Sequence, residues 1–374
     1  MRIAIDGTAP VIGGGITWLR EMVPALCAAS PEDTFWLFLR SDMLELKLRA
    51  PTNCDHLWIT LPPKARVMGR LVWQQVVLPL WLYKIKADVL LAPYDIAPIF
   101  APCKVVLGIQ NASPYYVLSP SNWLGRRRLQ LLRWLTKISA WRADKVFFVS
   151  EWSRQAISRK LRLPLQKSHV IYHGVSDRFQ PREKKPAEQF CGLSPYVLVV
   201  GSVCFYKDYI TLIKAWKIVV TNMKQYIKKL LIVGPILESQ YYQKLISLAD
   251  DLKINESVSF VSSVPPSEMP ALYQGALALI MPSYTETFGL PMLEAMACGI
   301  PVIASDIPVA REICGEAACY YRLGDPEDLA EKLIYVLKYT DKRSELIKSG
   351  KERAQHFSWD KSAVRLLQLL RDAL

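Results

Sequence analysis

"MPSYTETFGLPMLEAMACGIPVIAS", Met281 to Ser305, reads as the end of one element and three more in series. The run "ALALIMPS" that leads into it (276–283) is apolar without alternation, as a parallel strand covered on both faces should be. "YTETFG" (284–289) is a loop and "LPMLEAMAC" (290–298) a helix, and "GIPVIAS" (299–305) turns into the next strand. Pro291 suits the first helical turn, where a missing N–H costs nothing, and Gly299 suits the C-terminal cap. Strand, loop, helix and strand make the repeating unit of a doubly wound α/β sheet. Such sheets bind their ligands at the carboxyl ends of the strands.

The same alternation runs outward in both directions. In the first half the expected strands are 2–6, 34–39, 57–60, 88–92, 104–109, 145–150 and 169–172. In the second half they are 196–201, 230–234, 258–261, 276–281, 301–305 and 318–321. Helical patterns fall between them, at 16–29, 151–161, 207–225, 239–253 and 325–338. So many strands alternating with helices predict two α/β domains rather than one sheet. "FQPREKKPAEQFCGLSP" (179–195) carries three prolines and a charge cluster without apolar period, and reads as the linker. The expected organisation is an N-terminal Rossmann-like domain over 1–178 and a second one over 196–355. A C-terminal helical segment, 356–374, is expected to pack back toward the N-terminal domain.

The 374 residues are enough for two cores, and 51% hydrophobic with 22% charged residues describes a globular chain. Cys27, Cys54, Cys103, Cys191, Cys204, Cys298, Cys314 and Cys319 form no CxxC pair, and read as small buried residues in a reducing compartment. "MRIAIDGTAP" lacks a signal-peptide pattern because Asp6 interrupts its apolar run. "LVWQQVVLPLWLY" (71–83) is apolar but much shorter than the roughly 20 residues a membrane span needs. Charge is unevenly divided. Residues 1–200 hold 27 Lys and Arg against 14 Asp and Glu, whereas residues 201–374 hold 20 against 20. The first half therefore faces something anionic, or is a basic solvated surface.

The chemistry concentrates in the opening stretch. The N–H groups of Phe288, Gly289 and Leu290 lie at a helix N-terminus, an arrangement that favours an anion. Glu286 stands in the loop and Glu294 one turn into the helix. Carboxylates accept hydrogen bonds from hydroxyls and repel phosphate, so each can hold a different polyol while the amides between hold phosphate. Ribose, diphosphate and sugar in series, a nucleotide sugar, meet that requirement.

At this point the sequence resembles a known family. Glu-x7-Glu with "TFGLPMLEAMACGIPVIAS" is similar to the signature of retaining glycosyltransferases of the GT-B fold, glycosyltransferase family 4. The resemblance extends through "GGGITWLREMVPAL", "ADKVFFVSEWSRQAI", "VIYHGVSDRFQP", "YVLVVGSVCFYKDYITLIKAW" and "FSWDKSAVRLLQLL". It implies two doubly wound Rossmann-like domains facing across a cleft, and transfer of a hexose, mannose or a related sugar, to a growing cell-envelope polysaccharide or lipid-linked glycan. GDP-mannose and UDP-hexoses are both compatible donors. It further implies that Glu286 contacts sugar hydroxyls, that Glu294 binds the ribose diol and that Lys207 pairs with the leaving diphosphate. Gly14, Gly15, Ser202, Phe288, Gly289 and Leu290 would line the donor.

Two positions depart from the family pattern. Tyr206 stands where an Arg commonly precedes the lysine, which removes one charge partner of the phosphate. Gln110-Asn111 replaces a common His-Asp on the acceptor side, and Gln110 can bond a sugar hydroxyl but cannot take a proton near neutral pH. Both motivate an alternative, a catalytically weak GT-B protein acting as a binding or scaffold subunit. No Asp-x-Asp, HExxH or Walker A sequence appears, and His56, His169, His173 and His356 form no metal cluster, so neither metal nor cofactor is expected. Nucleic acid is not an expected partner, for no motif of that class accompanies the charge.

The basic half contains "SNWLGRRRLQLLRWLTKISAWRADK" (121–145), with Ser121 and Asn122 at the N-cap. At 100° per residue Leu124, Leu131, Leu135 and Ile138 share a face, bordered by Trp123, Trp134 and Trp141. Arg126, Arg133 and Lys137 form the next stripe. Such a helix either packs its apolar face into the core or rests on an anionic membrane surface. The expected location is the cytoplasm, with peripheral attachment to the inner face of the membrane.

Overall fold

A computed structural model of the chain describes residues 1–9, 13–46, 51–61, 66–111, 115, 123–180, 195–223, 227 and 229–374. The chain divides into two units, residues 1–174 with 358–374, and residues 175–357. Of the expected linker, residues 181–194 lie outside the described residues, as do Ser121 and Asn122.

The first unit holds a seven-stranded sheet in the order β3-β2-β1-β4-β5-β6-β7. Its strands are β1 (Arg2–Asp6), β2 (Thr34–Arg40), β3 (Cys54–Ile59), β4 (Val89–Ala92), β5 (Lys104–Ile109), β6 (Lys145–Phe148) and β7 (Ser168–Val170). The second holds six strands in the order β10-β9-β8-β11-β12-β13. These are β8 (Tyr196–Val200), β9 (Lys229–Val233), β10 (Val258–Val261), β11 (Ala276–Met281), β12 (Val302–Ser305) and β13 (Ala318–Tyr321). The pairings are parallel. In each sheet the order reverses beside the first strand, between β1 and β4 and between β8 and β11. Those two switch points are where ligands enter open α/β sheets. The central strands are buried on both faces, which is why they read as continuous apolar runs rather than alternating ones.

Around the first sheet lie α1 (Gly14–Ala29), α2 (Arg66–Val72), α3 (Leu78–Lys84), α4 (Trp123–Arg142) and α5 (Glu151–Leu161). A π turn, Trp73–Val77, joins α2 to α3 without a break, so residues 66–84 form one continuous helix. Around the second sheet lie α6 (Tyr209–Met223), α7 (Ser239–Asp251), α8 (Met269–Gln274), α9 (Leu290–Cys298), α10 (Pro308–Cys314), α11 (Pro326–Lys338) and α12 (Thr340–Ala354). The last helix, α13 (Trp359–Arg371), belongs to the first unit. It buries Trp359, Ala363, Leu366, Leu367 and Leu370, and Arg371 bonds Ser30 and Glu32 just beyond α1. Gly174 makes that docking feasible, since a Cβ there would lie 2.1 Å from the backbone nitrogen of Trp359.

Helix α4 does not bury the face its leucines suggest. Among its described side chains Thr136, Ser139 and Ala140 are buried, as is Ala143 just past its end, whereas Leu131, Trp134 and Trp141 are exposed and Leu135 and Ile138 half-buried. Small side chains let the helix approach the sheet closely, and Ser139 bonds the backbone of Ala97. The side chains of Trp123 and Leu124 lie outside the described residues. Among the described residues no helix is long and apolar enough to cross a membrane.

Candidate functional site

In the second unit two loops meet at the switch point. After β8 the chain passes Gly201 and Ser202, closes a short helical turn at Phe205–Lys207, and enters αL geometry at Asp208 (φ 46°) before α6. After β11 it runs through Ser283 to Glu286 and into α9. A backbone bond from Tyr284 N–H to the Tyr206 carbonyl, 2.8 Å, ties the two loops together.

This brings Lys207 Nζ into a direct ion pair with Glu286 Oε1. Both side chains are nearly buried, 9% and 13% exposed. The Ser283 hydroxyl donates to the same carboxylate oxygen at 2.7 Å, and the Ser305 hydroxyl holds the Ser283 carbonyl at 2.7 Å. Gly201 lies against the lysine: a Cβ there would come within 3.3 Å of Nζ. Tyr206 places its ring 5.5 Å from the ammonium, so a neutral aromatic face stands beside the lysine where the family pattern has a second cation. Burial raises the Tyr206 phenol above its ordinary pKa, which keeps it a neutral donor.

Helix α9 begins after Gly289, whose φ of 86° and ψ of 55° are left-handed geometry that glycine adopts without strain. Gly289, at the N-cap, has no side chain with which to cap this end. Pro291 sits in the first turn, and Gly299 (φ 74°) closes the other end. Phe288 is buried, with Phe357 edge-on at 5.8 Å, and anchors the loop. Glu294, one turn in, accepts a 2.7 Å hydrogen bond from the hydroxyl of buried Tyr273 on α8. Sequence reasoning missed Tyr273, for no spacing links it to Glu294. It also missed Ser283, although that serine stands inside the opening stretch.

Gly14, Gly15 and Gln110 belong to the first unit. Helix α1 starts at Gly14, and the Gly15 carbonyl accepts from Tyr94 Oη at 2.8 Å. Gln110 donates its carboxamide to the Pro93 carbonyl at 2.9 Å. The backbone N–H groups of Gln110 and Asn111 donate to Asp95 Oδ1 at 3.1 and 3.3 Å. Asp95, in αL geometry, is pushed up to about pKa 6 by burial. Gln74, fully buried, donates to Asp6 Oδ2 at 2.7 Å and to the Ile96 carbonyl at 2.8 Å. The charges of Asp6 and Asp95 favour the buried Arg70 guanidinium, whose pKa burial nevertheless lowers. This polar group, at the β1/β4 switch point, was not read from the sequence, because its members are scattered over 6–110 and become neighbours only through the sheet order. On α4, Arg126 and Lys137 are exposed, Arg133 is half-buried and Trp134 is exposed.

Two family profiles together cover nearly the whole chain. Residues 12–179 match Glycosyltransferase Family 4, and residues 181–353 match Glycosyl transferases group 1. The chain belongs to this glycosyltransferase family. Among curated relatives, the O-antigen chain mannosyltransferase RfbU of Salmonella typhimurium is 32% identical over 198 residues, covering 52% of this chain and 51% of that protein. O-antigen chain mannosyltransferase B of Escherichia coli is 26% identical over 238 residues, 60% of each chain. The matched stretches thus span between half and two thirds of those relatives' length. A solved structure of Anabaena Alr3699/HepE in complex with UDP and glucose superposes over 100% of both chains with a TM-score of 0.78 at 18% identity. That likeness establishes the fold as GT-B, and the glycosyltransferase therefore carries one Rossmann-like sheet for each family profile.

Proposed function

We propose that this glycosyltransferase moves a hexosyl group, mannose or a related sugar, from a nucleotide-diphosphate sugar to a growing cell-envelope polysaccharide or lipid-linked glycan. The reaction proceeds with retention and without a divalent metal. The observation that carries the reading is the nearly buried Lys207–Glu286 pair at the β8/β11 switch point, beside the start of α9 at Gly289.

The residues divide the work. A departing nucleoside diphosphate gains negative charge, and Lys207 with the amides of Phe288, Gly289 and Leu290 supplies the compensating field in place of a metal. Hydrogen bonds to charged groups contribute about 1.5–3 kcal/mol each, against about 0.3–2 kcal/mol for a helix end, so the lysine dominates. Glu286, oriented by Ser283, accepts from sugar hydroxyls, and Glu294, oriented by Tyr273, accepts from the ribose. Gln110 holds the acceptor side and takes no proton, which leaves the departing phosphate to accept the proton of the attacking hydroxyl. The mannosyl choice is supported by the O-antigen mannosyltransferases among the relatives. Peripheral attachment to an anionic membrane, with Arg126, Arg133, Lys137 and Trp134 of α4 facing it, suits a lipid-linked acceptor.

A thermal-shift panel with UDP, GDP, ADP and dTDP, with and without EDTA, tests the reading. A nucleotide at 100 times its Kd stabilises by about 2.7 kcal/mol, which moves the midpoint by roughly 5–11 °C. The expected result is a shift with one base, unchanged by EDTA and lost in Glu294→Ala. No shift with any of the four overturns the transferase reading in favour of a scaffold subunit.

A further inference from the structure

The continuous helix over residues 66–84 lies on the surface of the first unit, yet it is apolar nearly all round. Its inward face buries Trp73, Gln74, Leu78 and Leu82, with Phe38 packed against Trp73 at 5.6 Å and Trp81 at 6.4 Å. Its outward face presents Met68, Val72, Val76, Leu80 and Tyr83, each between 53% and 76% exposed. A helix apolar on both sides belongs in a core or in lipid, and here one side has no protein cover among the described residues.

The stripe is held straight by the backbone. Every step of four residues along an α-helix drifts by about 40°. The π turn at Trp73–Val77, wider than an α turn, takes back part of that drift between Val72 and Val76. The neighbouring segment adds to the face. Gln75 bonds Ala97 and Ile99, and Ser139 of α4 bonds Ala97, so residues 97–99 are laced to both helices. Phe100, next in the chain, is 74% exposed, and the Arg142 guanidinium lies 5.2 Å from its ring.

We infer that residues 66–84 form a membrane wedge: the Met68–Val72–Val76–Leu80–Tyr83 stripe and Phe100 enter the interfacial layer of an anionic lipid bilayer, with the α4 cations on its headgroups. Charge selects this occupant. Apart from Arg70, which is buried beside Asp6 and Asp95, helix 66–84 and helix 123–142 together carry eight Lys and Arg and no Asp or Glu. A second copy of the same face would bring cation against cation, whereas phosphatidylglycerol headgroups carry the complementary charge. An apolar face of this kind settles about 5–10 Å into the headgroup and acyl boundary. The inference rests on the membrane-surface reading of α4, and adds the element that enters the lipid.

Flotation of the full chain with phosphatidylethanolamine vesicles, with and without phosphatidylglycerol, tests it. The wild type is expected to float with anionic vesicles and to keep part of that binding near 1 M salt, where screening acts within about 3 Å. V72S/V76S/L80S is expected to lose at least tenfold in partitioning with an unchanged melting midpoint. Val76→Cys carrying an environment-sensitive dye is expected to shift its emission to the blue on vesicles, against identically treated wild type. If R126Q/R133Q/K137Q releases the protein while V72S/V76S/L80S floats like wild type, the wedge is overturned and the surface reading stands. If the wild type does not float at all, both fall. A concentration-dependent dimer that the stripe variant disperses, without flotation, would make this face an interface between copies and overturn the lipid occupant.

Discussion

Removing one partner of the Lys207–Glu286 pair should cost the second unit far more than removing both. With only 9% and 13% of the two side chains exposed, water screens the pair little. Lys207→Met leaves the Glu286 carboxylate with the neutral Ser283 hydroxyl, 2.7 Å away, in place of a cation. Glu286→Gln leaves the ammonium with a neutral amide oxygen that can accept its hydrogen bond without balancing its charge, and with the Tyr206 ring 5.5 Å away. An uncompensated buried charge costs about 3–5 kcal/mol. For a unit of this size that is a fall in midpoint of roughly 6–20 °C. The double variant K207M/E286Q keeps similar volumes and buries no charge, so it should melt within about 1–2 kcal/mol of wild type, with a coupling energy of several kcal/mol. Calorimetry of the four proteins, free of nucleotide, measures the cycle. Additive effects, with each single substitution below about 1 kcal/mol, would show that water reaches the pair and would refute the burial argument. Activity should not follow stability: if Lys207 acts as proposed, the double variant lacks the cation opposite the leaving diphosphate, and its kcat/KM should stay down by roughly 10- to 150-fold.

Other perturbations probe the surrounding structure. Asp95 titrates at about 6 in the fold against an ordinary 3.8, so the folded state binds more protons between those values, and stability falls as pH rises from about 4 to 6. Asp95→Asn should flatten that slope in denaturant titrations at several pH values, and an unchanged slope would assign it to other groups. Tyr273→Phe removes the phenol that orients Glu294, and nucleotide affinity measured by calorimetry should drop roughly 10-fold or more with little loss of stability. Gly289→Ala places a Cβ in left-handed geometry 2.3 Å from Met292 Cε, and should cost about 1–2 kcal/mol in a thermal melt. Gly174→Ala meets the backbone of Trp359 instead of a movable side-chain tip, so the loss should be larger, with increased hydrogen exchange in α13.

The strands were legible because parallel strands buried on both faces must be apolar throughout, and glycine, proline or charge marks their ends. That the residues of the proposed donor side lie together was legible for a related reason. Glu286, Phe288, Gly289, Leu290 and Glu294 fall within one loop and one helical turn, so short-range spacing already places them. Lys207 needed the family resemblance, since its approach to Glu286 depends on β8 and β11 lying side by side although 75 residues separate their ends. Asp6, Arg70, Gln74 and Asp95 had no such guide. Helix α12 went unread because its burial rests on Leu346, Gly350 and Ala354, too few apolar positions to make a period.

Helix α4 shows why periodicity misleads in one specific way. Hydrophobicity scales weigh leucine and tryptophan heavily and treat alanine, serine and threonine as neutral, yet close packing rewards the small residues that let backbones approach. Thr136, Ser139, Ala140 and Ala143 therefore take the sheet, and Leu131, Trp134 and Trp141 are left outside. The helix over 66–84 poses the same question in a stronger form: its buried and exposed faces are both apolar, so no moment could have told them apart. Large apolar side chains left outside on two basic helices of one unit are costly in water unless something covers them. In the proposed membrane reading a bilayer surface would cover both helices with one ligand, and the absence of acidic residues along them would then have a physical reason.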